Sequence, residues 1–383
     1  MNELNPEQTE IMNKTRKIAD EVIAVHAADV DSKSRFPQES VKALGDAGLL
    51  GLTVPVEYGG LGQTMRMAVT LLDEIAQRDA SVGMVYLMHL CGIACYAAAP
   101  DTAAQHLRDA AAGRHLSTLA WSEKGSRSHF WAPVSQASER DGQVTLNAEK
   151  SWVTSAGHAD GYVVSTRSPQ SSAPTDTVLY LALKSDSGLA ASGPWESLGL
   201  RGNSSAPMLL KDCTLPRDRA ICDPGKGFEF MLGVVLPMFQ LGSAAISVGI
   251  CEAAVATTTG HLTGKRFEHL DTKLASLPNL RARLAKMRIE TDRSRAHLFS
   301  AVDAVESSAS NTMLLVLESK AAASESAILV TDLAMQACGG AAFSKHLSVE
   351  RNFRDARAAS VMAPTTDILH DFIGRALCGM ELF

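Results

Sequence analysis

The spacing of hydrophobic positions changes twice along the chain and divides it into three blocks. Residues 1–117 repeat apolar side chains near helical spacing, and a helix is expected to begin at Asn5-Pro6-Glu7, which joins a cap, a first-turn proline and an early acid. Residues 118–227 hold short β-rich runs separated by turn residues, and residues 228–383 return to long helical segments. The order predicts a mainly α fold with an inserted antiparallel β-domain between an N-terminal helical domain and a C-terminal four-helix bundle.

Individual elements can be predicted from the same pattern. In the first block, one apolar helical segment is expected over Met65–Ala99, ended by Pro100. The expected strands are Val144–Leu146, Trp152–Thr154, Tyr162–Val164 and Val178–Leu181. The expected bundle helices are Phe230–His261, Leu280–Ser307, Asn311–Ala337 and Asp367–Cys378.

One apolar stretch is long enough to cross a membrane. Residues 230–251 contain no charge. Polar and helix-disfavouring residues interrupt the stretch, Pro237 and Gln240 among them, and no belt of Lys or Arg flanks it. The pattern therefore favours a helix buried on all sides in a bundle, and we predict no membrane association.

Composition limits the cellular location and the classes of partner that can be expected for the chain. The 383 residues have a net charge of −6, which offers no broad basic face for nucleic acid. The N-terminus shows no secretory signal, and none of the seven cysteines forms a CxxC pair. We therefore predict a cytoplasmic protein without a disulfide framework or a metal site.

Six short motifs follow one another along the chain. They are Leu52–Gly62, Ser122–Ser128, Leu146–Ala156, Gly199–Gly202 with Leu215-Pro216, Gln336–Gly340 and Arg354–Arg357. In this order and approximate spacing they resemble the acyl-CoA dehydrogenase superfamily of flavoproteins over essentially the whole chain. The resemblance implies an FAD-dependent oxidoreductase with the three-domain fold described above. It also implies a homo-oligomer, a dimer or a tetramer built from dimers that share FAD sites, and an electron-transfer flavoprotein as partner.

The resemblance assigns FAD contacts to residues of two domains. In the β-domain it places Trp152 against the isoalloxazine ring and Thr154 near its N5. It places Trp121 and Ser122 at the pyrimidine edge of the ring. In the bundle the implied contacts are Lys265 or Arg266 for the pyrophosphate, Gln336, Gly339 and Gly340 for a neighbouring subunit's FAD, and Thr365 and Asp367 at the start of the last helix. Taken one at a time, the same residues are typical of strand cores and helix caps.

The chain departs from the family where the catalytic base should stand. The position that most members fill with a glutamate falls on Ala363, and the alternative position, used by a minority, falls on Phe239. Alanine cannot remove a proton, although its backbone N–H could donate to a carbonyl oxygen. The base is therefore unassigned, with His89 and Asp367 as candidates for a relocated one. By the same resemblance, the substrate contacts are Ser128, Phe239 and Ala363.

Four functions are compatible with these residues. The first is α,β-dehydrogenation of an acyl thioester with an atypical or relocated base. The second is a flavin monooxygenase of the same fold, which needs no carboxylate base. The third is a non-redox acyl-thioester lyase in which FAD is structural, and the fourth is a flavin-binding assembly partner without catalysis. The sequence specifies neither the acyl chain nor its carrier.

Overall fold

The computed structural model describes residues 4–126, 129–269 and 271–382. The first helices are α1 Pro6–Ile18, α2 Ala24–Lys33, α3 Gln38–Asp46, α4 Met65–Ala76, α5 Ala80–Ala98 and α6 Pro100–Ala111. Helix α1 begins as predicted, because the Asn5 side chain accepts from the Gln8 N–H and the Gln8 side chain accepts from the Asn5 N–H. The single predicted helix over residues 65–99 is two helices, since Asp79 starts a new one by accepting from the Ser81 N–H at 2.7 Å.

The middle block folds into two sheets. Its strands are β1 Ser117–Ala120, β2 Ser138–Arg140, β3 Gln143–Val153, β4 Gly161–Arg167, β5 Thr177–Leu183, β6 Leu189–Ala191 and β7 Ala206–Pro216. One sheet has the order β1-β4-β5 and the other β2-β3-β7-β6. All pairs are antiparallel except β1 with β4, which is parallel. The predicted runs at 144–146 and 152–154 lie on one stretch of chain, with residues 144–153 in β3, whose pairing with β7 is irregular between Lys150 and Val153.

The last block is a helical bundle, with a small hairpin of β8 Arg266–Phe267 and β9 Thr272–Lys273. Its helices are α7 Gly227–Phe230, α8 Leu236–Gly264, α9 Pro278–Glu306, α10 Thr312–Cys338, α11 Gly340–Phe343, α12 Val349–Asp355, α13 Ala358–Val361 and α14 Thr366–Leu377. Helix α8 lies at the centre and packs against α4, α5, α9 and α10.

Two helical segments are long and apolar enough to cross a membrane, residues 80–98 and 227–264. In each, 83% of the apolar window is buried inside the chain. Glycines in α8 make this packing close: a Cβ at Gly242 would lie 2.2 Å from the Leu87 side chain, and one at Gly249 would lie 2.5 Å from the Asp73 carbonyl oxygen. The uncharged stretch is thus the buried central helix that its pattern predicts.

Two of the six motifs join the three blocks. Arg354 donates to both carboxylate oxygens of Asp31, at 2.9 and 2.6 Å, and so links the bundle to the first block. Asp355 accepts from the Leu200 N–H at 2.7 Å, and a Cβ at Gly199 would lie 2.5 Å from the Arg354 carbonyl oxygen. Burial raises the pKa of Asp355 to about 7. These motif residues therefore fix the β-domain on the bundle.

Candidate active site

Trp152 presents an open aromatic face on the β-domain. The irregular pairing of β3 places it at φ 58°, and its side chain is 68% exposed. It touches Trp195 edge to face, with ring centroids 5.9 Å apart and planes at 74°. Large aromatic side chains are usually well buried, so the exposure of this indole is unusual. Its exposed face is available to a flat ligand.

The segment Trp121-Ser122 lies beside Trp152. The Ser151 N–H donates to the Ser122 carbonyl oxygen at 2.8 Å, which brings Ser122 within one residue of Trp152 along the strand. Trp121 stacks on Phe130 with centroids 5.9 Å apart, and its indole Nε1 is buried without an acceptor among the described residues. A buried donor of this kind needs a partner, and a ligand can supply one.

Thr154 lies in the same region of the β-domain. It is buried, and its hydroxyl is 2.9 Å from that of Ser205. A hydroxyl has one donor and two acceptor sites, so two of the three sites on the Thr154 hydroxyl remain open. The structure thus brings together the four predicted residues of the β-domain: Trp121, Ser122, Trp152 and Thr154.

A buried ion pair anchors the loop that follows Trp121. Lys150 Nζ lies 2.6 Å from Glu123 Oε1, and the two side chains are 0% and 3% exposed. Glu123 Oε2 also accepts from the Val134 and Ser135 N–H groups, at 2.7 Å each, so the pair holds the loop after Trp121. Burial alone would raise the pKa of Glu123, but the Lys150 charge and the hydrogen bonds hold it below the usual value. The arrangement gives Glu123 a structural role.

Lys320 joins the two positions where a base is expected. Its Nζ donates to the carbonyl oxygens of Met362 and Pro364, at 2.9 and 2.6 Å, on either side of Ala363. The same Nζ lies 6.0 Å from the ring centroid of Phe239. Lys320 is completely buried, and burial lowers the pKa of its amine to about 7.

Ala363 offers a backbone donor at this point. The residue is half-buried, and its N–H has no acceptor in the part of the chain that the structure describes. Since the carbonyl groups on both sides of it are bound by Lys320, the orientation of this N–H is fixed by neighbouring contacts. The position can hold a carbonyl oxygen although its side chain cannot move a proton.

The two candidates for a relocated base are not positioned to replace it. His89 is fully buried, its Nε2 lies 2.7 Å from the Leu50 carbonyl oxygen and its Nδ1 accepts from the Ser117 N–H, so both ring nitrogens are engaged. Burial also lowers the pKa of His89 to about 4. Asp367 is exposed in the first turn of α14. At about 100° per residue it lies about 140° around the helix from Phe372, which lines the pocket described next, so the two side chains leave the helix on different sides.

An apolar pocket lies against the same turn of chain. The pocket together with its opening to solvent has a volume of about 400 Å³. It is lined by Phe130, Trp131, Leu232, Leu236, Met313, Leu317, Pro364, Phe372 and Leu382. Pro364 follows Ala363 directly, and Leu317 precedes Lys320 by one helical turn on α10. Thr365 is the N-cap residue of α14 and is half-buried. Ser128, the other predicted substrate contact, lies outside the described residues.

The remaining predicted FAD residues meet at another end of the bundle. Leu262 of α8 and Ala337 of α10 share one apolar cluster, which brings Lys265 and Arg266 near the end of α10. Lys265 is exposed, whereas Arg266 pairs with Asp271 at 2.6 Å. Gln336 donates to the Asp332 carboxylate at 2.7 Å. A Cβ at Gly339 or Gly340 would meet no described atom within 4 Å.

These groups stand far from Lys320. The 16 residues from Lys320 to Gln336 span about 24 Å of helix α10, at about 1.5 Å per residue. The open glycine backbone at the end of α10 is therefore separate from the turn around Ala363. This separation is compatible with the expectation that the glycine backbone at the end of α10 contacts the FAD of another subunit.

Three residues of the site were not predicted from the sequence: Lys320, Phe130 and Trp131. The sequence pattern of α10 could have identified Lys320, because this residue falls on a row of buried positions at helical spacing. The row consists of Leu317, Lys320, Ser324, Ala327, Thr331 and Ala334. A lysine on such a row is rarely buried without a purpose. Phe130 and Trp131 had no comparable signal, since they lie in a loop that long-range contacts position.

Three family models match consecutive parts of the chain. They are the N-terminal domain of acyl-CoA dehydrogenase over residues 5–114, the middle domain over 118–213 and the C-terminal domain over 225–378. A probable acyl-CoA dehydrogenase of Mycobacterium leprae, fadE25, is 27% identical over 379 residues, covering 98% of this chain and 96% of its own.

Two solved structures have the same fold. Butyryl-CoA dehydrogenase from Megasphaera elsdenii superposes with a TM-score of 0.92 at 21% identity, covering 99% of this chain and 100% of its own. The structure of PigA with FAD and proline superposes with a TM-score of 0.90 at 18% identity, covering 99% of each chain. The likeness therefore extends over all three domains.

Proposed function

Since this chain belongs to the acyl-CoA dehydrogenase family and is a flavin-dependent oxidoreductase with FAD as its cofactor, we propose that it catalyses α,β-dehydrogenation of an acyl thioester. The observation that supports this reaction is that the Ala363 N–H, which has no acceptor among the described residues, stands directly before Pro364, a residue that lines an apolar pocket. The pocket suits an acyl chain and the N–H suits a thioester carbonyl.

The described residues fit FAD. Trp152 offers an exposed aromatic plane, and the buried Nε1 of Trp121 lacks an acceptor that the polar edge of an isoalloxazine could provide. The Thr154 hydroxyl keeps two open hydrogen-bonding sites, and a Cβ at Gly339 or Gly340 would meet no described atom within 4 Å. When bound, FAD accepts a hydride, which accounts for the redox half of the reaction.

The residues of the chain would then act on the thioester by position and polarity. The apolar pocket surrounds the acyl chain, and the Ala363 N–H stabilises the negative charge that develops on the carbonyl oxygen as the α-proton passes to a solvent water molecule, because no described side chain is placed to accept it. The missing general base has a cost of about 10²–10⁴ in rate. We therefore propose a slow dehydrogenase, or one whose substrate has an unusually acidic α-proton.

Anaerobic reduction of the bound flavin tests this function directly. Purified protein is mixed with acyl-CoA substrates of increasing chain length while flavin absorbance is followed. Bleaching by at least one thioester, with the unsaturated product recovered, is the expected result. The proposal is wrong if chemically reducible, protein-bound flavin is left oxidised by every acyl-CoA, whatever the incubation time.

A second candidate function rests on the two base positions. Phe239 and Ala363 supply no proton acceptor, and Lys320 between them is bound to backbone carbonyl groups. A flavin monooxygenase of this fold would need no such acceptor. Incorporation of labelled oxygen from O₂ into an organic product, without thioester-dependent bleaching, would favour this function over dehydrogenation.

The partners follow from the dehydrogenase proposal. A reduced flavin must pass its electrons on, and an electron-transfer flavoprotein is the proposed acceptor. The open backbone at the end of α10 fits a homo-oligomer in which one copy completes the FAD site of another. Sedimentation of the FAD-loaded protein would measure the oligomer, and a Gly340→Val variant, at a position without a positive φ, should lose both flavin and assembly. A cytoplasmic location also stays a prediction.

A further inference from the structure

Lys320 is buried without the partner that a buried charge usually has. It is 0% exposed and forms no ion pair with any described residue. Its contacts are the carbonyl oxygens of Met362 and Pro364 and the ring of Phe239. Transfer of a lysine from water to such a site is unfavourable, and it is offset only by what the amine holds in place.

The amine holds one short segment. Met362, Ala363 and Pro364 follow the short helix α13 and precede α14. The Met362 N–H still donates to the Ala358 carbonyl oxygen at 3.0 Å, but no helical hydrogen bond is formed by the backbone nitrogen of Ala363 or Pro364 among the described residues. Lys320 binds the first and third of these residues from the middle of α10, and the N–H of the second has no acceptor among the described residues. The backbone donor next to the pocket-lining Pro364 is thus flanked by two bonds from one side chain.

The same contacts argue against Lys320 as the proton acceptor. A group that removes an α-proton must approach the carbon to about 3–3.5 Å. Lys320 has no exposed surface, and its N–H bonds point to backbone oxygens of the chain itself. Its geometry is that of a support behind the site.

We propose that Lys320 is a positioning residue, which aims the Ala363 N–H at the carbonyl oxygen of a bound acyl thioester through its bonds to Met362 and Pro364. This inference rests on the proposed function for the identity of the ligand. In this role, the buried amine of α10 controls the polarisation of the ligand carbonyl without contacting the ligand.

Carbonyl infrared spectroscopy tests the inference without turnover. The probe is acetyl-CoA labelled with carbon-13 at its carbonyl, because an acetyl group has no β-carbon from which hydride could leave. Wild-type protein is compared with Lys320→Met, which removes both bonds, and Lys320→Gln, whose amide retains N–H donors but cannot accept a proton at neutral pH. Lys286→Met changes an exposed lysine of α9 and serves as the matched control.

In wild type and Lys286→Met, the bound carbonyl band should lie below that of the free ligand. In Lys320→Met it should return toward the free position, and Lys320→Gln should lie between. The rate of flavin reduction by an active acyl-CoA should fall about 10–100-fold in Lys320→Met, since one donor to an oxyanion is worth about 10²–10³ when fully lost. Equal flavin content and melting behaviour identify variants that remain folded.

Three results would overturn the inference. One is an unshifted band in wild type, and another is a shift that persists in folded Lys320→Met. The third is a Lys320→Gln variant with a normal band but no flavin reduction, together with a wild-type rate that falls below about pH 7, because that pattern assigns proton removal to the amine. A shifted band that depends on Lys320, in a protein whose flavin no acyl-CoA reduces, would support the positioning role while refuting the dehydrogenase proposal.

Discussion

The pH dependence of stability should reveal the buried amine of Lys320. Its pKa falls from 10.5 to about 7 on folding because burial disfavours the charged form. The difference corresponds to about 5 kcal/mol at about 1.4 kcal/mol per unit. Replacement by methionine removes the titrating group and keeps a long apolar side chain, so a comparison of wild type with Lys320→Met isolates this contribution.

The direction of the effect follows from proton binding. Between about pH 7 and 10.5 the amine is neutral in the folded chain but protonated in the unfolded chain. The unfolded state therefore binds more protons, and stability rises with pH across this interval. Below about pH 7 both states are protonated and the full cost of burying the charge is present. The free energy of unfolding of wild type minus that of Lys320→Met should rise by about 3 kcal/mol from about pH 7 to 9.5.

Urea unfolding followed by tryptophan fluorescence at several pH values provides the assay. Other titrating groups are shared by both proteins and cancel in the difference, and Lys286→Met should give a difference that is flat with pH. The desolvation argument is refuted if the difference between wild type and Lys320→Met is also flat. A fall with rising pH would mean that the amine is stabilised as an ammonium by a charge that the described contacts do not include.

Three further predictions concern the site. Ala363→Glu should speed flavin reduction by acyl-CoA about 10²–10⁴-fold if only the base is missing, whereas Ala363→Gln should not; equal single-turnover rates would contradict this. Glu123→Ala should lower the free energy of unfolding by about 3–5 kcal/mol because Lys150 is left charged and buried, while Lys124→Ala, from the exposed pair with Glu149, should cost less than about 1 kcal/mol in urea melts. Trp152→Ala should weaken FAD binding about tenfold by fluorescence titration, and unchanged affinity would remove the indole from the flavin site.

The parts of the fold that the sequence predicts are those with strong local signals. The capped start of α1 and the buried helix formed by the uncharged residues 230–251 depend on neighbours in sequence, and both occur as expected. The division of residues 65–99 has a local signal too, since Asp79 is a good N-cap, but the continuous apolar pattern on both sides hides it. Strand β1 pairs with β4 about 40 residues away, and β7 pairs with β3 about 50 to 70 residues away, so their apolar runs acquire meaning only in the folded sheets.

Some features of the site can likewise be predicted from the sequence, whereas others require the structure. Trp152 could be recognised as a flavin contact by resemblance, but its 68% exposure results from the irregular pairing of β3 with β7, which depends on register. The missing carboxylate at Ala363 can be read directly from the sequence. The lysine behind it cannot be linked to that turn without the structure, because 43 residues separate Lys320 from Ala363.

The arrangement around Ala363 constrains how its lost carboxylate should be interpreted. A site that had no further use for an acyl carbonyl would have no reason to keep beside an apolar pocket an N–H without an acceptor among the described residues. It would have still less reason to support that N–H with a buried lysine that has no ion-pair partner among those residues. The cost of that lysine grows as the pH falls toward 7, where the amine begins to charge. The donor and its support therefore argue for a function that still polarises a carbonyl group. Ala363→Glu decides between the remaining alternatives, because a large gain in rate means that proton removal alone is deficient, whereas no gain means that the polarised carbonyl serves a different reaction.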